Sequence, residues 1–186
     1  MRALSWLALA ALGLGAGCGD PNLLPPATFP NVVDTLTLHA VRGTPIHQPS
    51  GFAISTRRPV RLDIPVNLDF VFDLNDQGQP VFIPLAALGA SASTFNPGFL
   101  KTSLPFDSIT VAEVNGYVTA DTVPIAPGER YYMRSRIDTG GCFLGLPFYG
   151  KLEVLSVDPD ARTVRFRALV DVNCGYRGLL PGLPSR

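Results

Sequence analysis

Charge is scarce in this chain of 186 residues: Asp, Glu, Lys and Arg together make up 16%, and 15 bases offset 15 acids. A nucleic-acid partner therefore has no electrostatic support, because gripping a phosphate backbone needs a basic face. Histidine is limited to His39 and His47, and cysteine to Cys18, Cys142 and Cys174. Hydrolase signatures are missing: there is no G-x-S-x-G elbow, and Ser91 and Ser93 lie in a small-residue loop with no histidine at a recognisable spacing. Phosphate-cradling glycine loops, internal repeats and a second long apolar run are absent as well. What remains favours a non-enzymatic domain without a cofactor.

The N-terminus has a definite pattern. A single cation, Arg2, precedes the apolar run Ala3 to Leu14 and the small residues Gly15-Ala16-Gly17, followed by Cys18. These are the three regions of a secretory signal peptide over residues 1–17. As a helix, Ala3 to Gly17 would span only ~22 Å of a hydrocarbon core ~30 Å thick, too little for a retained anchor.

The stretch Leu14-Gly15-Ala16-Gly17-Cys18 resembles the lipobox of bacterial lipoproteins, with Gly15 where the family carries an aliphatic residue. The resemblance implies that Cys18 becomes a lipid-modified N-terminus, holding the chain to a membrane of the cell envelope and facing periplasm or exterior. Several acyl chains on one residue suffice for stable anchoring, where one alone binds marginally. The alternative is ordinary secretion with Cys18 left as a free thiol. Residues 18–31 carry Pro21, Pro25, Pro26 and Pro30 and read as an extended tether, leaving residues 32–186 as one domain.

Eighteen prolines and eighteen glycines, set among Val, Phe, Tyr and Thr, argue for short strands and tight turns. Leu68, Phe70, Phe72 and Leu74 alternate with Asp69 and Asp73, which predicts a half-buried strand whose carboxylates face water. The turn after it leads into Val81 to Ile83. Further strands are expected at Thr35 to Val41, Phe52 to Ser55, Val60 to Ile64, Ser108 to Ala112, Tyr117 to Thr119 and Arg130 to Arg136, with one helical turn at Leu85 to Leu88. The fold class is all-β: an antiparallel sandwich or barrel of eight or more short strands.

The C-terminal part predicts a hairpin of Lys151 to Val157 and Thr163 to Val172, with Val164, Phe166, Ala168, Val170 and Val172 inward and Arg165, Arg167 and Asp171 outward. Placing Val157 opposite Thr163 brings Cys174 opposite Leu146, near Cys142. A Cys142–Cys174 disulfide follows in an oxidising compartment, with two buried thiols or half a zinc site as the alternatives.

Four groups are candidates for binding. His39 and His47 could hold haem iron or a divalent metal, although His39 alternates with Leu38 and Ala40 as a solvent-face residue would. Tyr132, Arg134 and Arg136 share one strand face that could take an anionic or sugar-like ligand, or else mark an edge strand protected by charge. Asp73, Asn75 and Gly78 open like a calcium loop, but Pro84 stands where its bidentate Glu belongs. Asp69 and Asp73 lie about 13 Å apart on one strand, too far for paired glycosidase carboxylates.

Gly128 to Arg134, Tyr149 to Val157 and Thr163 to Arg167 are similar in order and spacing to the C-terminal hairpin of the all-β haem-capturing lipoproteins of the HmuY kind. That resemblance implies a shared β fold. The family takes its haem ligands from histidines in the body of the domain, and no histidine here follows His47. The expected function is thus an envelope-anchored domain that binds a partner protein or a small ligand. Haem or metal capture through His39 and His47, and an unrecognised hydrolase, are the alternatives.

Overall fold

A computed structural model describes residues 24–64, 67–90, 96–137 and 141–184. Among the described residues ten strands form two five-stranded antiparallel sheets: β1 (Val33–His39), β2 (Gly51–Ala53), β3 (Arg58–Val60), β4 (Phe70–Leu74), β5 (Pro80–Pro84), β6 (Gly98–Thr102), β7 (Val123–Pro124), β8 (Arg130–Arg134), β9 (Tyr149–Asp158) and β10 (Thr163–Asp171). The first sheet runs β1-β10-β9-β8-β6 and the second β3-β2-β4-β5-β7. Packed face to face they make a sandwich, the first of the two expected architectures.

Phenylalanine fills the space between the sheets. Phe52, Phe70, Phe72 and Phe82 rise from the second sheet to meet Phe99 and Phe166 of the first. Phe82 stacks on Phe99 with centroids 5.2 Å apart, while Phe70 meets Phe99 edge-on at 4.7 Å. Such pairs add about 0.5–1.5 kcal/mol each to the burial of the rings. The expected helical turn is present as a 3-10 turn over Leu85–Leu88.

The β9–β10 hairpin departs from the expected register by one residue near its turn. Val157 pairs with Val164 and Asp158 with Thr163, until a bulge shifts the ladder beside Arg165 and Phe166. Beyond it Val154 faces Phe166, Leu152 faces Ala168 and Gly150 faces Val170, the register the sequence suggested. The extra residue, Leu155, lets both Val154 and Val157 point inward although an odd number of steps separates them. A periodic reading cannot register such an insertion.

Four strand readings need correction: of Val60 to Ile64 only Val60 is in a strand, as the last residue of β3. Asp69 and Asp73 are buried rather than wet, because backbone N–H groups meet both carboxylates and the Arg42 guanidinium meets Asp73 as well. Ser108 to Ala112 forms no strand: it follows a 3-10 turn at Phe106–Ser108 and contributes one bridge, Val111 to Gly178. Tyr117 to Thr119 is reduced to a bridge between Val118 and Phe99. Together residues 103–118 fold over the outer face of the first sheet, and Phe106, Ile109 and Ala112 pack there with Tyr132, Tyr149, Leu169 and Leu179. Asp171, expected in water, is fully buried too.

Cys142 and Cys174 are bonded, with Cα atoms 5.0 Å apart. The bridge joins the loop before β9 to the chain leaving β10, at the open end of the hairpin.

Candidate functional site

The open end of the β9–β10 hairpin collects the least expected features of the molecule. Residues 24–31, read as part of a tether, are bound to the domain there. Proline holds this stretch extended, and its carbonyls and remaining N–H groups lie open to partners on the C-terminal segment. Asn173 supplies three of them: its Oδ1 accepts the N–H groups of Thr28 and Phe29 at 2.8 and 3.0 Å, and its Nδ2 donates to Phe29 O at 2.8 Å. The Tyr176 hydroxyl donates to Pro25 O at 2.8 Å. Asn31 and Gly182 exchange backbone hydrogen bonds of 2.7 and 2.9 Å, while Asn31 Nδ2 donates to Gly178 O and Leu180 O. The boundary expected after residue 31 is thereby corrected, since residues 24–31 are a strap belonging to the domain.

Two clefts flank this strap and meet at Tyr176. The larger, of about 600 Å³, is lined by Leu24, Val111, Arg177, Leu180, Leu183 and Pro184 among others. The smaller, of about 210 Å³, lies between Pro26, Phe29, Phe143 and Cys174. Arg177 is the single charged side chain among the described residues that line them. Its Nη1 donates to Ala112 O at 3.1 Å, pinning the cover segment to the C-terminal segment.

Beneath the strap lies Asp171. Its Oδ1 accepts from the backbone N and the Nδ2 of Asn173, at 2.9 and 2.8 Å. Its Oδ2 is buried without a hydrogen-bond partner, as is Asn31 Oδ1. Burial pushes the Asp171 carboxyl above the ordinary aspartate value, against the lowering effect of the Asn173 donors.

The Tyr132–Arg134–Arg136 surface is not open. β8 lies inside the first sheet between β6 and β9, so it is no edge strand. Tyr132 is buried in the second core, and Arg134 stacks 4.7 Å from the Tyr117 centroid while donating to Asn96 O at 3.2 Å. Arg136 stands beyond the end of β8, its backbone N–H donated to Asp69 Oδ1 at 2.8 Å. Tyr132 and Arg134 thus lie against the chain's own cover segment, and Arg136 stands apart from them beyond the strand.

Lys151 escaped the sequence reading altogether. It lies on β9 with its ammonium buried, donating to Phe106 O at 2.8 Å and Ile109 O at 2.9 Å, and 4.5 Å from the Phe106 ring centroid. Burial pushes its pKa below the usual lysine value. Both oxygens are backbone carbonyls of the cover segment, so the lysine acts as a staple. Nothing in the sequence around Tyr149-Gly150-Lys151 distinguishes it from a solvent-facing lysine.

His39 ends β1, opposite Thr163, and His47 is exposed in the loop between β1 and β2. Among the described residues no group of three His, Cys, Asp or Glu side chains is placed to hold a metal ion. The calcium-like residues are engaged otherwise: Arg42 Nε donates to Asp73 Oδ2 and Nη1 to Asp76 Oδ1, each at 2.6 Å, and Asn75 Oδ1 accepts from Gln77 and Gln79 within the turn. Cys18, the signal segment, the first residues of the tether, Ser91 and Ser93 lie outside the described residues. Comparison with protein-family models, curated proteins and solved structures found no match to this chain.

Proposed function

We propose that this chain is an envelope lipoprotein, held by lipid on Cys18, whose β-sandwich is a non-enzymatic binding domain. The observation that carries the reading is the partition of its three cysteines. Cys142 and Cys174 pair with each other inside the fold, which suits an oxidising, exported environment. The third, Cys18, closes an apolar leader of lipobox type. An unpaired thiol is a liability in such a compartment, whereas lipid modification consumes it. The apolar clefts at the strap provide room for a partner or small ligand.

The test is a mass spectrum of protein extracted gently from its own envelope. The expected mass begins at Cys18, carries acyl chains and is two hydrogens lighter than the reduced chain. A mass that begins elsewhere and lacks lipid overturns the anchor. Retained non-covalent mass identifies the class of ligand.

A further inference from the structure

We infer that the strap end of the sandwich seats on the surface of the bilayer, with its apolar rim at the boundary between headgroups and acyl chains. The inference rests on lipidation of Cys18 and goes beyond it by orienting the domain.

Distance comes first. Leu24 is itself a wall of the larger cleft. From Cys18 to Leu24 there are six residue steps, which reach at most about 20 Å when fully extended. The acyl chains are therefore tied close to this end and cannot place the opposite end on the membrane without turning the domain around a strap that is hydrogen-bonded to it.

The composition of the rim agrees with the distance. Phe29, Val111, Phe143, Leu180 and Leu183 are all substantially exposed, Phe143 at 74% and Leu183 at 64%. They border the two clefts on either side of the strap and Tyr176, so they form one region rather than scattered surface residues. Contiguous apolar surface on a water-soluble domain marks a place where something else binds. Lipid suits this one, because an interfacial face combines apolar side chains with few charges of basic sign. Among the described residues the one charge lining the clefts, Arg177, is a cation able to meet lipid phosphates.

The far end differs. The β9–β10 turn and the loop carrying Arg42 lie there, joined by a hydrogen bond from Arg162 Nε to Arg42 O, with Asp73, Asp76 and Arg42 in an ion-pair cluster. Ile46 is 68% exposed in that loop and provides a control position.

The one tryptophan of the chain, Trp6, falls in the cleaved leader, so a single introduced tryptophan reports alone. The lipidated protein bearing Phe143→Trp, Leu183→Trp or Ile46→Trp is reconstituted in phosphatidylcholine–phosphatidylglycerol vesicles with brominated acyl chains. The first two variants are expected to lose about half of their emission or more, and Ile46→Trp little, as an interfacial depth of ~5–10 Å requires. Equal quenching at all three positions overturns the orientation while leaving the anchor intact. Blue-shifted emission at positions 143 and 183 without bromine quenching also overturns it, since the rim is then covered by protein. A mass lacking lipid on Cys18 removes the anchor instead. The same vesicles added to that unlipidated protein then show whether the rim binds lipid unaided.

Discussion

The carboxylate of Asp69 accepts the backbone N–H of Arg136 at 2.8 Å, across 67 residues of sequence and from one sheet to the other. Its second oxygen accepts the N–H of Ile54 at 2.7 Å. Asp69 precedes β4 in the second sheet and Arg136 follows β8 in the first, so one buried side chain ties the layers together at their rim. Asp69→Ala strands both donors, and hydrogen bonds to a charged group contribute about 1.5–3 kcal/mol each. The expected loss is on the order of 2–4 kcal/mol in urea unfolding, with Asp69→Asn intermediate. A loss below about 1 kcal/mol contradicts the tie.

The disulfide closes a loop across a separation of 32 residues. Chain-entropy reasoning assigns about 3–4 kcal/mol to a loop of that length. Replacing both cysteines by alanine should shift the denaturation midpoint accordingly, and a reductant should produce the same shift in the parent but none in the variant.

Gly150 is required by its neighbours rather than by its backbone angles. A Cβ there would sit 2.8 Å from Leu169 O and 2.9 Å from Met133 Cε. The sulfur side chain can yield but the ladder carbonyl cannot, so Gly150→Ala is expected to cost about 1–3 kcal/mol. An unchanged melting temperature contradicts this packing.

Lys151→Met keeps the length of the side chain and removes its donors. Ile109 O and Phe106 O lose the ammonium that holds the cover segment. The expected cost is about 1–3 kcal/mol, concentrated locally. Hydrogen exchange should quicken in residues 106–112 before it changes in β9 and β10; uniform exchange across the domain contradicts the staple.

Asp171 makes stability depend on pH. Its folded pKa is raised, chiefly by burial, so as pH climbs from the free-aspartate value of ~3.9 toward the folded one the unfolded chain releases its proton first and stability falls. Asp171→Asn cannot ionise and keeps an oxygen for Asn173. Relative to the parent it should gain stability as pH rises from 4 to 7, measured by denaturation at each pH. A constant difference between the two proteins sinks this account.

The inner faces of the strands were legible because alternation records burial: Phe70, Phe72, Phe166 and Val170 were placed by it correctly. The outer faces were not, because alternation predicts only that a residue leaves the core, not what covers it. Alternation puts Asp73 and Asp171 in water and Tyr132 on an open ligand face or edge strand, yet Arg42, the strap and the cover segment meet them. β6 was missed since Pro97-Gly98 reads as a turn, although Gly98 is needed where Val118 O approaches closely. The disulfide is legible from register and an oxidising compartment, because the bulge cancels the one-residue offset at the turn and restores the expected pairing on the side of the cysteines. The strap went unseen because proline enrichment is shared by free linkers and by extended segments that dock.

That strap gives the domain a mechanical character. A pull transmitted from the N-terminal side enters at Leu24 and meets, in chain order, the Tyr176–Pro25 bond, the Asn173 clasp on Thr28 and Phe29, and the Asn31–Gly182 pair before any tension reaches β1. Under such a pull the strap can therefore peel a few bonds at a time, releasing several residues while the sandwich stays loaded only at its edge.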